Sequence, residues 1–198
     1  LDTGGGWKVK VEQAYHTPSI PLSGDWETYL AGIDKKQRHE IRRKLRRANS
    51  SDDEVSWHIT ENADTLVEDI ADFLKLMEFD AEKKRFLTGE MRKQMNEIGQ
   101  WAFNNGMLQL SFLTVNGEKA AGYLCFDHED RIWVYNSGFN PNYRYYSPGW
   151  VLLSYLIQHA IKTGKTHFDF MRGDEAYKYR FGGIDSFVMK ASATLRQA

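Results

Sequence analysis

Two kinds of apolar spacing succeed each other along the chain, and the change falls near its middle. In the first half apolar residues recur at helical intervals. Leu66, Ile70, Phe73, Leu74 and Met77 predict a helix over residues 64–78. Met91, Met95, Ile98 and Phe103 predict another over 88–105, stopped by Asn104-Asn105-Gly106. Asp25 is the expected cap of a short helix carrying Trp26, Tyr29 and Leu30, and Asp34 that of a helix over 35–48. Residues 7–15 and 55–59 read as strands, and Pro18 and Pro21 punctuate an extended turn after the first. Beyond residue 106 the pattern becomes that of strands: 107–115 and 119–127, joined by the hairpin signal Asn116-Gly117, then 131–138. A loop over 140–147 leads to a helix over 150–161, with Pro148 at its start and Gly164 at its end. A strand over 166–170 and an apolar stretch over 184–195, expected to close the sheet, complete the chain. Helices, a meander, then a helix between two strands predict an α/β (α+β) fold with a mixed, mostly antiparallel central sheet flanked by helices.

Composition narrows the class. At 198 residues the chain has room for one domain, read here as a lead-in over 1–24 and a single domain over 25–198. A net charge of −1 argues against a general field for nucleic acid. The single cysteine, Cys125, excludes an internal disulfide and a cysteine-rich zinc site, and so points to a reducing, cytoplasmic setting. Within AGYLCF it reads as a small core residue rather than a nucleophile. The six histidines form no HxxxH or HxH pair, so no metal site is expected, and no GxSxG elbow or GxGxxG loop occurs. No apolar run approaches a membrane span. A start at Leu1 rather than Met reads as part of a longer chain, such as one of tandem domains.

Three segments carry candidate chemistry. KKQRHEIRRKLRR (35–47) holds eight basic residues against Glu40, with Arg38, Arg42 and Arg46 in one stripe and Ile41 and Leu45 in another. It is either a solvated helix docked by its apolar stripe or a face for an anionic partner, with Arg42, Arg43 and Arg46 as its contacts. NPNYRYYSPGW (140–150) runs into a helix N-terminus, where free N–H groups and the helix dipole favour phosphate. Arg144, Ser147 and Gly149 suit such a site, although an ordinary connection with Pro in the first turn explains the segment too. DFMRGDEAYKYRFGG (169–183) packs Arg172, Asp174, Glu175, Tyr177 and Lys178 into the end of a core strand. Asp174 and Glu175 stand at i−4 and i−3 from Lys178, the spacing of salt-bridge partners on a helix.

Together these segments resemble the GNAT acyltransferase superfamily, in its branch similar to the CelD proteins and the FemABX aminoacyltransferases. The likeness rests on the basic helix, on the S-P-G turn of YRYYSPGWVLL, and on FDFMRGDEAYKYRFGG, and it covers roughly residues 25 to 190. The resemblance implies acyl-CoA, acetyl-CoA in the simplest case, as donor, with no metal. The pantetheine would lie along 132–138, including Ser137 and Gly138, and the pyrophosphate at the turn formed by Arg144, Tyr145, Tyr146, Ser147 and Gly149. Of the usual R/Q-x-x-G-x-G/A run only Arg144 and Gly149 have counterparts here. In FemABX relatives the donor is aminoacyl-tRNA, and a lysine in a K-x-x-F-G setting supports the transfer; Lys178 occupies that setting. The resemblance thus implies Lys178 at the oxyanion, Asp174 as a candidate base and Tyr177 as a candidate proton donor to the leaving thiolate. Arg42, Arg43, Arg46 and Arg172 are the expected substrate contacts. The acceptor implied is an amine of a sugar, peptide or cell-envelope precursor.

Overall fold

The structure, a computed structural model, describes residues 6–195. Its main sheet has six strands in the order β2 (Ser19–Pro21), β7 (His167–Asp169), β6 (Arg131–Phe139), β5 (Glu118–His128), β4 (Leu108–Val115) and β3 (Val55–Ile59). Every neighbouring pair is antiparallel except β6 and β7, which the helix between them forces to run parallel.

Alternation along the strands divides the interior into two cores. Ala121, Tyr123 and Cys125 of β5 face one core, and Leu124 faces the other. The first core is completed by α1 (Trp26–Gly32), α2 (Lys35–Asn49) and α6 (Pro148–Lys162), through Leu30, Ile41 and Leu156 among others. The second is completed by α3 (Ala63–Met77) and α5 (Gly89–Asn104), through Ile70, Phe73 and Met95. The helices start where their polar residues predict. Asp25 accepts from the Thr28 amide, Asp34 from those of Lys36 and Gln37, and Thr88 from that of Met91.

Cys125 is fully buried, and burial raises its thiol far above the ordinary range. The lead-in is less separate than its prolines suggest: β2 is an edge strand of the main sheet, and Ile20 and Leu22 belong to the first core. The last apolar stretch does not close that sheet. β8 (Phe187–Leu195) instead pairs with β1 (Trp7–His16) in a separate antiparallel ribbon, and all nine β8 residues are exposed. The edge it would have joined is already taken by β2, and only a single bridge, Ser19 to Ile184, reaches it.

The parallel pair sets up the site. β6 and β7 are joined only from Arg131–His167 to Trp133–Asp169. There β7 turns away, its next amide, Phe170, bonding to the Pro18 carbonyl, while β6 runs on to Phe139 held by β5 alone. The two strands therefore diverge, and one backbone edge of β6 is left without a strand partner, its Ser137 amide held by the Asn136 side chain and its Ser137 carbonyl by Lys83. Gly138 sits where β6 crosses the end of α3; a Cβ there would lie 2.5 Å from the Leu76 carbonyl carbon and the Met77 nitrogen. That close approach, rather than a ligand, requires the glycine.

Candidate active site

A cleft of about 680 Å3 opens where β6 and β7 part. Ser137, Gly138 and Phe139 of β6 form one wall, and Leu76, Phe79 and Asp80 at the end of α3 and just beyond it form another. The N-terminus of α6 closes its outer end through Ser147, Pro148, Gly149 and Trp150. Ser147 has left-handed backbone angles (φ 52°, ψ 53°), and no side chain caps the helix. Pro148 has no N–H to satisfy and the Trp150 amide is bonded to the Ser147 carbonyl, while a Cβ on Gly149 would meet nothing closer than 4.0 Å, so at the start of this 15-residue helix it is the Gly149 amide that faces open space.

Two cations flank that helix end. Arg144, in a 3-10 turn (Pro141–Tyr146), lines the cleft with no ion-pair or hydrogen-bond partner for its guanidinium among the described residues. Lys44 reaches in from α2, its ammonium 4.1 Å from the centre of the Trp150 ring and 3.4 Å from Glu40. Burial lowers the Lys44 pKa more than Glu40 restores it. The turn itself is braced from behind by α2, where Arg47 donates to the Tyr145 carbonyl at 2.6 Å and covers the Tyr145 ring. Neither Tyr145 nor Tyr146 lines the cleft; Tyr145 is exposed and the Tyr146 hydroxyl donates to Asp53.

The other predicted arginines lie elsewhere. Arg43 forms a two-pronged pair with Glu40 at 2.8 and 2.7 Å, and its hydrogen bond is the main reason the Glu40 carboxyl falls to about 2. Arg42 is paired with Glu27. Arg42 and Arg46, with His39, line a shallow hollow of about 480 Å3 on the outer face of α2, apart from the cleft. Arg172 lies 4.1 Å over the Tyr15 ring of the β1 ribbon.

Deeper in the cleft four polar side chains converge. Tyr123 of β5 is almost fully buried and stands directly across the sheet from Ser137. Tyr177, on the short helix α7 (Ala176–Arg180), packs edge-on against Phe170. Burial raises both phenols, so both are protonated at neutral pH. Glu175 lines the same space. Burial pushes its carboxyl up, but the Lys178 hydrogen bond and the charges of Lys178 and Lys83 leave it below its ordinary value. Lys83, on α4 (Ala81–Phe86), donates to the Ser137 carbonyl at 2.5 Å, and its pKa is lowered chiefly by burial.

Lys178 lies behind this wall rather than in the cleft. Its side chain is 3% exposed, and its ammonium meets the Arg172 carbonyl at 2.9 Å, the Gly173 carbonyl at 3.2 Å and Glu175 Oε2 at 2.8 Å. Three acceptors use all three N–H groups, so none is free for an oxyanion. Asp174 is exposed and does not line the cleft. Asp169, at the end of β7, accepts from Arg131 at 2.8 Å and from the Met171 amide at 2.7 Å. The cleft thus gathers Ser137, Gly138, Arg144, Ser147, Gly149 and Tyr177 from the expected set, and adds Lys44, Lys83, Tyr123 and Glu175. Among the described residues no group of three or more His, Cys, Asp and Glu is placed to hold a metal ion. No helix among them is long and apolar enough to cross a membrane.

A mixed sheet that parts after its one parallel pair, with a crossover helix starting at the gap, defines the class: a GNAT-type transferase. The family model described as "Acetyltransferase (GNAT) domain" matches residues 35–179, and the chain belongs to that family. Solved structures agree in fold at low sequence identity. FemX superposes with a TM-score of 0.69 at 12% identity, covering 92% of this chain and 64% of that one. A conserved protein of unknown function from Bacteroides thetaiotaomicron gives 0.62 at 16%, covering 98% and 64%. The C-terminal domain of a putative lysylphosphatidylglycerol synthetase from Agrobacterium fabrum gives 0.60 at 10%, covering 95% and 62%. The chain therefore spans under two thirds of the length of each of these structures. A search of curated protein sequences returns no match.

Proposed function

We propose that the chain transfers an acyl group from acyl-CoA, with acetyl-CoA as the simplest donor, to an amine of a sugar, peptide or cell-envelope precursor. One observation carries this reading: an uncapped helix N-terminus flanked by Arg144 and Lys44 opens onto the edge of β6 that has no strand partner. The Gly149 amide, a helix dipole and two cations suit a pyrophosphate. A strand edge with no neighbouring strand, its Ser137 groups held only by side chains, suits an extended arm carrying amides, which can displace the Asn136 side chain from the Ser137 amide and bond as another strand would. The deep end then receives the thioester. The amine attacks the carbonyl carbon, forming the C–N bond, and collapse of the tetrahedral adduct breaks the C–S bond. The proton lost by the amine leaves through water. Tyr177, protonated and lining the cleft, gives its proton to the thiolate and is reprotonated from solvent. An acyl-CoA donor would also set the reaction in the cytoplasm.

Calorimetric titration with CoA tests the donor. Binding to the wild type should weaken about tenfold or more in Arg144→Ala and in Lys44→Met, the loss expected for one charge-assisted contact each. Undiminished affinity in both variants would sink the assignment of this end to phosphate.

The outer face of α2 favours a second reading, an aminoacyl-tRNA donor, because His39, Arg42 and Arg46 surround a hollow there. It requires tRNA binding that falls steeply with salt and loses part of that slope in Arg42→Ala/Arg46→Ala. Absent or salt-insensitive binding removes it.

A further inference from the structure

Two lysines stand near the deep end of the cleft, and their hydrogen bonds differ in a way that separates their roles. Lys178 spends its three N–H groups on the Arg172 and Gly173 carbonyls and on Glu175. Lys83 spends one, on the Ser137 carbonyl, and is half-buried among the residues that line the cleft. No other acceptor reaches its ammonium among the described residues. Ser137 lies on the stretch of β6 beyond the last rung shared with β7, so the carbonyl that anchors Lys83 belongs to the strand edge against which a donor arm would lie. Tyr123 faces Ser137 across the sheet, and Tyr123, Tyr177 and Glu175 line the same space. An ammonium fixed by one neutral carbonyl, with two N–H groups unspent, is a preorganised donor for oxygen charge that develops during acyl transfer.

We propose that Lys83 is a catalytic residue that donates a hydrogen bond to the acyl carbonyl oxygen of the bound thioester. The proposal rests on the acyl-CoA reading above. In the step, the amine nitrogen forms a bond to the carbonyl carbon and the carbonyl π pair moves onto oxygen, where Lys83 holds it. The pair returns as the C–S bond breaks, and the thiolate takes its proton from Tyr177. Lys83 remains protonated throughout, so nothing is oxidised or reduced. Lys178 is then a positioning residue: it fixes Glu175 and the turn at Gly173.

The test is the carbonyl resonance of acetyl-CoA labelled with carbon-13 at the carbonyl, bound to the wild type and to Lys83→Met. A hydrogen bond from a cation moves that resonance downfield. The expected result is a downfield shift in the wild type that is lost in Lys83→Met and largely restored in Lys83→Arg. CoA affinity should change less than about threefold in Lys83→Met, since its phosphates are held at the other end. Persistence of the shift in Lys83→Met overturns the proposal and leaves the acyl-CoA reading standing. Failure of the wild type to bind acetyl-CoA overturns both. Lys83 lies on a short surface helix with no buried residue, so Lys83→Met should keep the fold, and an unaltered thermal midpoint confirms that the lost shift is local.

Discussion

At the scale of single residues, Lys178 stands behind the cleft wall with its ammonium spent on three acceptors. Its surroundings in K-x-x-F-G were legible, and Glu175 at i−3 proved to be its ion-pair partner at 2.8 Å. What the spacing could not show is that the turn at 172–173 doubles back and presents two carbonyls to the same ammonium. Lys178→Met should therefore cost about 1–3 kcal/mol, because it strips two part-buried carbonyls and a half-exposed carboxylate of their donor. Urea denaturation should show a lower midpoint with an unchanged slope. A midpoint within about 0.5 kcal/mol of the wild type would mean that the turn does not depend on the lysine. Lys44 was within reach of sequence reasoning. It stands three residues after Ile41 and four before Ala48, both buried, which places it on the inner face of its helix and at the edge of the cleft. Tyr123 was visible in the same way, alternating with Ala121 and Cys125 on a core face where a hydroxyl needs a partner.

At the scale of elements, the periodic segments were legible and the short ones were not. α3, α5 and α6 and the β4–β5 hairpin announce themselves through apolar spacing, polar caps and Asn116-Gly117. α4 spans six residues, AEKKRF, too short for a period and with none of its residues buried, so nothing marked Lys83 as a cleft residue. β2 spans three residues, the last of them Pro21, and owes its place to the partner strand rather than to its own propensity. α2 links the two cases. Its basic surface suggested a binding face, yet three of its residues serve the cleft: Ile41 seats it in the core and Arg47 braces the 3-10 turn, both indirectly, and Lys44 enters the site. Ile41→Ala should thus do two things. It should cost about 2–4 kcal/mol through the cavity it leaves. It should also weaken CoA binding at temperatures where the protein is still folded, because α2 no longer holds Lys44 and the turn in register. Calorimetry below the unfolding transition separates the effects; full CoA affinity at reduced stability would show that α2 is only a structural brace.

At the scale of the whole molecule, the β1–β8 ribbon stands apart from both cores. Cross-strand register puts Trp7 opposite Leu195, Val9 opposite Ala193 and Val11 opposite Ala191 on one face, and Lys8, Lys10 and Glu12 opposite Thr194, Ser192 and Lys190 on the other. No β1 or β8 residue belongs to either core cluster. An isolated two-stranded ribbon is marginal in water, so its amides should open without unfolding the rest. Hydrogen exchange should find Trp7–His16 and Phe187–Leu195 weakly protected while β4, β5 and β6 exchange only through global unfolding. The same partition predicts that a chain trimmed to residues 17–186 folds cooperatively and binds CoA with unchanged affinity. It loses the Arg172–Tyr15 and His16–Asp185 contacts but keeps all six strands of the main sheet and every residue lining the cleft. The residues just inside the cut remain tied across the base of the ribbon by the Thr17 amide to the Ser186 carbonyl at 2.9 Å and the Ser19 amide to the Ile184 carbonyl at 3.0 Å. If the trimmed chain unfolds, or folds without binding CoA, then the ribbon supports the site through the Gly173 amide, which donates to the His16 carbonyl at 2.9 Å beside the carbonyl that Lys178 holds.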